Sequence, residues 1–400
     1  MTAYDPRRPE VVADPYPALG RLREEEPVHW SEVLGGWVLT RYADVRAALA
    51  DPRLSADRIT PFLARRTLTA SDAVQALLRQ VGLWVVFTDP PTHTRLRSVL
   101  GRVLTTRAIE LRRPRVEAIV RGLLDRAAAA GEMDLIRDFA YPLPVTVIGD
   151  LLGVPSGDHE QLKAWSDELA TFVGSSLTAP DKYERAARGV AEMHEYFARV
   201  VARRRAAPAD DLVTALLAAE ERGDGLREGE LVASCVLLLF AGHETTTNLI
   251  GNGALALLRH PAEARAWRED PALTAPAVEE LLRYDGPTPA MVRVAREDLQ
   301  ADDRTIRRGD RLFLMISAAN RDPRQFAEPD RLDLRRADNR HLTFGHGIHF
   351  CLGAPLARLE GQVALPALLS RFPALALRTD APEWLDSLIF RGMQSLPVAL

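Results

Sequence analysis

The sequence predicts a mainly α-helical protein with a small β part. Ala, Leu, Arg and Glu dominate long stretches in which apolar residues recur every three or four positions, the period of a helix with one buried face. Stretches with strand character are few, short and near the two ends of the chain. One stretch, 227–259, is apolar on every side through its middle, as in a helix buried all round. No segment reads as a linker and no repeat stands out, so the 400 residues are expected to form one domain, 1–400.

In chain order, strands are predicted at Val28–Trp30 and Gly36–Thr40 and a helix at 43–50. Helices follow over 92–104, 107–130, 142–152, 158–173, 181–206 and 210–221. The long helix over 227–259 opens with Glu228 and Glu230, which suit the positive end of its dipole, and His260-Pro261 closes it. At 1.5 Å per residue it spans roughly 45–50 Å, the width of a domain of this size. Its centre, Val236–Phe240, is wholly apolar. The next residues, Ala241-Gly-His-Glu-Thr-Thr-Thr247, then put a carboxylate and hydroxyls where each costs energy unless paired. A structural network and a functional site are equally open readings there. Helices at 261–269, 274–284 and 354–371 and strands at Val292–Ala295, Arg311–Ile316 and Ala374–Leu377 complete the prediction.

A chain that is 47% hydrophobic and 26% charged is neither disordered nor fibrous. Its net charge of −4 gives no support to a nucleic-acid or membrane-coating role. Two cysteines make no disulfide framework and no structural zinc site. Met1–Glu10 has no apolar leader segment and the longest apolar run, Val236–Ala241, is far short of a membrane span. A cytoplasmic protein is expected.

The most informative stretch is Phe344-Gly-His-Gly-Ile-His-Phe-Cys-Leu-Gly353. Glycines on both sides of Cys351 allow close backbone approach, and a helix is predicted to start just after them. The unpaired N–H groups of its first turn would face the sulfur, a setting that lowers a thiol's pKa and favours the thiolate. One cysteine cannot hold zinc or an iron–sulfur cluster, but a single thiolate can be the axial ligand of a heme iron. A lone cysteine is most often a small core residue, which is the reading for Cys235.

At Cys351 the ten-residue pattern F-G-x-G-x-H-x-C-x-G resembles the ligand loop of the cytochrome P-450 family, the heme–thiolate monooxygenases. The resemblance implies that family's fold, with the long central helix crossing over the heme. It implies heme b (iron protoporphyrin IX) as cofactor and Cys351 as axial thiolate and metal ligand, with Phe344 and Gly353 of the same loop against the cofactor. The axial sulfur pushes electron density onto iron and favours O–O cleavage.

Further stretches carry the resemblance over nearly the whole chain. Glu280-Leu-Leu-Arg283 matches the family's E-x-x-R element, whose two residues share a helix face and can pair. The family locks that pair to an arginine of a later loop, and Arg331 in Pro329-Asp-Arg-Leu332 is expected to be this structural third member. Ala241-Gly-x-Glu-Thr-Thr246 is similar to the oxygen-activating motif, with Ala241 beside the cofactor, Thr245 at the alcohol position and Glu244 at the acid position. These two are the expected catalytic proton relay. A Thr245 hydroxyl bonded to the Ala241 carbonyl, together with Gly242, is expected to loosen that turn into a notch. His243 receives no role. The family places heme-propionate ligands where this chain has His93, Arg97, Arg293 and His349. Thr92 stands where Glu is common and is expected to be exposed.

The implied reaction uses O2, two electrons and two protons to place one oxygen atom in a substrate and release water. No flavin or iron–sulfur motif is present, so the electrons are expected to come from outside, and the resemblance implies a small acidic ferredoxin and ferredoxin reductase as the donors. Residues 93–126 hold nine Arg against three acids, a patch suited to an acidic partner and equally to a plain solvated helix face. The family's substrate-facing regions map onto Phe62, Trp84, Val85, Phe87, Phe172, Leu237, Phe240, Ala241, Pro289, Ala290 and Phe390. Apolar linings are normal for small-molecule sites and equally for plain core. A hydrophobic natural product, hydroxylated or epoxidised, is the expected substrate of a monomer with no nucleic-acid or membrane partner. Two other readings stay open. One is a heme–thiolate peroxygenase or isomerase, against which the Glu244–Thr245 pair argues. The other is a catalytically silent heme-binding protein.

Overall fold

The computed structural model describes residues 4–61, 71–176, 178–220 and 226–400. Its helices are α1 (9–13), α2 (16–25), α3 (42–50), α4 (72–81), α5 (92–103), α6 (106–110), α7 (113–130), α8 (142–151), α9 (159–173), α10 (182–206), α11 (212–219), α12 (228–259), α13 (261–269), α14 (274–285), α15 (316–319) and α16 (354–371). The strands are β1 (28–31), β2 (36–39), β3 (54–55), β4 (133–134), β5 (290–295), β6 (299–301), β7 (304–306), β8 (311–315), β9 (376–377) and β10 (397–399). None of the helices is long and apolar enough to cross a membrane.

Helix α12 is the axis of the molecule. Its 32 residues extend about 48 Å, and α8, α10, α14 and α16 pack around it. Leu231–Leu237 are all buried, so no face of this part meets solvent. Glu230 accepts the Arg227 N–H at 3.0 Å, which satisfies one of the orphan donors at the N-terminus. Arg95 of α5 grips the same carboxylate through two bonds of 2.7 and 2.6 Å. At the other end Pro261, which needs no N–H partner, starts α13 directly after His260.

The main sheet has the order β1-β2-β8-β5-β3, antiparallel except between β2 and β8. Its second core cluster joins Val28, Leu39, Val45, Leu312 and Leu314. Arg293 on β5 faces Leu312 on β8, which fixes where that guanidinium enters the interior.

Several elements depart from the sequence prediction. The expected helix 107–130 is two, because Pro114 has no N–H and cannot continue the ladder of the helix before it. Helices α1, α2, α4 and α15 and strands β3, β4, β6, β7 and β10 were not predicted. Helix α4 carries its signal openly: Ser71 caps it by accepting the Val74 N–H at 3.3 Å, and Val74, Leu77, Leu78 and Val81 form its buried face. The helix runs unbroken through 241–247, within the single helix predicted over 227–259.

Candidate active site

The loop before α16 is shaped by backbone conformation. Gly345 and Gly347 have φ of +74° and +75°, and a Cβ on Gly347 would sit 3.2 Å from the Leu49 carbonyl and the Ala50 Cα. The chain then returns so that the Cys351 N–H donates to the Phe344 carbonyl at 2.8 Å. Helix α16 starts at Ala354, and the N–H groups of Gly353 and Ala354 point to the sulfur. These groups, with Arg97 and Arg358, draw the Cys351 pKa down, yet burial outweighs them and the net shift is upward. The charge of a bound metal ion adds to these groups in deprotonating a ligating thiol. Arg358 is held in place by two bonds to Glu279, at 2.7 and 2.8 Å, and lies 4.6 Å from the Phe344 ring centroid.

Cys351 opens into a cavity of about 320 Å³ that runs between α16 and α12. On its wall stand His93, Arg97, Arg293, His349, Phe344 and Gly353. The His93 and His349 rings lie 4.1 Å apart. Each has a buried Nε2 with no partner. Arg293 makes one bond, to the Val292 carbonyl at 3.0 Å, and burial holds its pKa down to about 10. Arg97 donates to the Phe350 carbonyl at 2.6 Å. Among the described residues no Asp or Glu lines this cavity. Two orphan ring nitrogens and two guanidiniums with no carboxylate on the wall fit a bound group that brings its own anions, as the two propionates of a heme do. Thr92 is exposed, as expected.

On the α12 side, Ala241, Gly242 and Thr245 line the cavity. The Thr245 hydroxyl donates to the Ala241 carbonyl at 3.0 Å. Glu244 is not on the wall. It turns toward Asn248, whose amide lies 3.4 Å away, and toward the Lys163–Asp167 pair of α9, itself 2.7 Å apart. Burial, reinforced by Asp167, pushes the Glu244 pKa up to about 7. His243 is buried, bonded through Nδ1 to the Leu239 carbonyl at 2.8 Å, with its ring edge toward Tyr141. Asn252, deeper in α12, binds the carbonyls of Asp285 and Arg391, so this part of the polar string is structural.

Of the predicted substrate contacts, Trp84, Val85, Phe87, Leu237, Phe240, Ala290 and Phe390 line the cavity. Trp84 stacks against Phe87 and Phe240 with centroids at 5.9 and 6.2 Å. Phe172 lines an adjoining cavity instead. Pro289 lines a separate cleft with Tyr4 and Trp384. Phe62 lies outside the described residues.

The E-x-x-R pair is fully buried. Arg283 donates to both Glu280 oxygens at 2.7 and 2.8 Å. Its third partner differs from the expectation. The guanidinium that reaches Glu280 is that of Arg336, at 3.1 and 3.2 Å, with Asn339 adding a bond at 3.1 Å. Arg331 points outward to Glu328 and joins the cluster only through its backbone carbonyl, which accepts from Arg283. The reason is local: the Asp333 N–H donates to Glu280 at 3.0 Å, and this draws the chain in after position 331. Sequence reasoning also missed Arg58 on the cavity wall.

A mainly helical fold around one buried helix, with a lone thiol facing a cavity rimmed by uncompensated cations, defines a heme–thiolate class of protein. The sequence profile of the cytochrome P-450 family matches residues 69–391. The chain is 44% identical to the vitamin D(3) 25-hydroxylase of Pseudonocardia autotrophica, over 97% of this chain and 94% of that one. It is 39% identical to the 6-deoxyerythronolide B hydroxylase of Saccharopolyspora erythraea, over 97% and 96%. A solved structure of P-450 BioI in complex with an acyl carrier protein ligated to hexadec-9Z-enoic acid superposes with a TM-score of 0.90 at 37% identity, covering 98% of this chain and 99% of that one. The chain belongs to the cytochrome P-450 family and is a P-450 monooxygenase. Proteins of this family bind heme b through a cysteine thiolate.

Proposed function

We propose that this enzyme inserts one atom of O2 into a hydrophobic natural product, by hydroxylation or epoxidation, using electrons from an external ferredoxin and its reductase. One observation carries the reading. Cys351 and the Thr245 hydroxyl share one largely apolar cavity, and Glu244, with a pKa near 7, lies next to Thr245 on the same helix but off the wall. Relatives named for hydroxylating vitamin D(3) and 6-deoxyerythronolide B support the substrate class.

Heme iron, when bound, supplies the activation of O2. Cys351 would ligate it through its thiolate, and His93, Arg97, Arg293 and His349 would hold the propionates. Trp84, Phe240 and Phe390 would bind the apolar substrate body and keep bulk water out. The Thr245 hydroxyl, donating to the Ala241 carbonyl, can still accept a hydrogen bond from water on the cavity side. A Glu244 carboxyl near its midpoint at neutral pH can both take up and give a proton, and the partly exposed Lys163–Asp167 pair of α9 acts on it. Partner docking would use the face of α5–α7, which exposes Arg102, Arg107, Arg115, Arg121 and Arg126. The exposed apolar side chains of Ile348 and Phe350, in the Cys351 loop, would add to it.

The test is Thr245→Ala with a turned-over substrate. It should leave heme content and substrate binding intact and divert reducing equivalents from product to hydrogen peroxide. Unchanged coupling of electrons to product would refute the proton role.

A further inference from the structure

Arg58 stands where the central cavity meets a second one of about 490 Å³. Arg58, Phe87, Val173 and Val292 line both. The guanidinium lies 4.7 Å from the centroid of the Phe87 ring. Such stacking restrains the plane of the fork and leaves its edges free to bond. Among the described residues, the guanidinium has no hydrogen-bond or ion-pair partner, and no Asp or Glu lines either cavity.

The other cations of the central cavity have a counter-charge in prospect, since His93, Arg97, Arg293 and His349 would hold the two propionates of a heme. Asp89 acts on Arg293, whereas Arg58 is acted on by Arg293, which repels it. Burial and that repulsion lower the Arg58 pKa to about 10, which still leaves it charged at neutral pH. A cation kept in an apolar wall with no anion beside it is costly, and a ligand that brings the anion removes the cost.

We propose that the substrate is an amphipathic carboxylic acid whose carboxylate pairs with the Arg58 guanidinium while its apolar body lies along Phe87 and Phe240 toward Thr245. This rests on the reading of the central cavity as the oxidation site. A planar guanidinium and a carboxylate can form two parallel bonds, so Arg58 would set which carbon of the chain reaches the oxidising end of the cavity.

The test compares decanoic, tetradecanoic and hexadecanoic acids with their methyl esters, titrated into the ferric holoenzyme and followed by the ligand-induced absorbance change. At least one acid should bind about tenfold or more tightly than its ester, the scale of one charge-assisted hydrogen bond. Arg58→Gln should abolish that ratio by weakening the acid alone, and Arg58→Lys should keep part of it. Equal binding of acid and ester, no binding across the series, or a preference that survives in Arg58→Gln overturns the proposal. Heme loss from Arg58→Gln with an unchanged acid-to-ester ratio would make Arg58 a propionate partner and overturns it too. The monooxygenase reading is tested separately, by the thiolate signature of the ferrous CO complex and by oxygen-dependent product, so either idea can fail alone.

Discussion

Arg336→Ala should destabilise the protein by about 3 kcal/mol and Arg331→Ala by about 0.5 kcal/mol or less. The Arg336 side chain is 9% exposed and Glu280 is fully buried. Its guanidinium donates to both Glu280 oxygens and to the carbonyls of Ala327, Glu328 and Arg331. Removing one partner of a buried ion pair costs about 3–5 kcal/mol. Glu280 would keep Arg283, Asn339 and the Asp333 N–H, which places the cost at the lower end, about two decades in the folding equilibrium. The Arg331 side chain is 60% exposed, with a single bond of 3.3 Å to an exposed Glu328. The part of Arg331 that matters is its carbonyl, and alanine retains it. Equilibrium guanidinium unfolding of both holoenzyme variants, followed by tryptophan fluorescence and heme absorbance, measures the difference. Equal losses, or a loss below about 1 kcal/mol for Arg336→Ala, would refute the assignment of the third corner.

Glu244 holds its proton more tightly in the folded state than in the unfolded chain, because its pKa rises from 4.5 to about 7. The stability it contributes is thus full below pH of about 4.5 and is lost as pH climbs through 7. Glu244→Gln cannot ionise, so its stability relative to wild type should rise between those pH values and level off above them; a difference flat with pH sinks the assignment. Cys351→Ser should lose the thiolate signature of the ferrous CO complex, whereas Cys235→Ser, a substitution inside the apolar core, should retain it; a normal spectrum for the first would move the ligand elsewhere. Arg121→Glu with Arg126→Glu should slow reduction by an acidic ferredoxin, most at low ionic strength; stopped-flow rates indifferent to both charge and salt would remove α7 from the docking face.

The helical frame was legible because each long helix repeats its signal over several turns. The short strands were not. Strand β3 is two residues, Leu54 and Ser55, paired with Ala295 and Val294. Two residues have no period to read, and what makes them a strand is a partner far along the chain. The same holds for β4, whose pairing partner is β10. The break before Arg113 was readable in principle, since Pro114 cannot sit inside a continuous helix. The capped α4 was readable too.

The site divides along the same line. His93, Arg97, Arg293, His349 and Cys351 were found by position, and all five meet on one cavity wall. Arg336 was not, because Arg335 and Arg336 are alike in sequence and only the path of the loop decides which one turns inward. Arg58 carried no signal at all, since lacking a partner is a property of the folded surroundings. Glu244 is the instructive case. Residues 241 and 245 are four apart and share a helix face, whereas 244 is about 100° away from 245. Once Ala241 and Thr245 face the cavity, the carboxyl turns away from it, where Asn248 of the same helix and the charges of α9 receive it. In the proposed relay the two groups therefore act in series and not as paired donors. Thr245 lines the cavity and would meet the reacting group, and Glu244, enclosed and near its midpoint at neutral pH, would be the reservoir behind it.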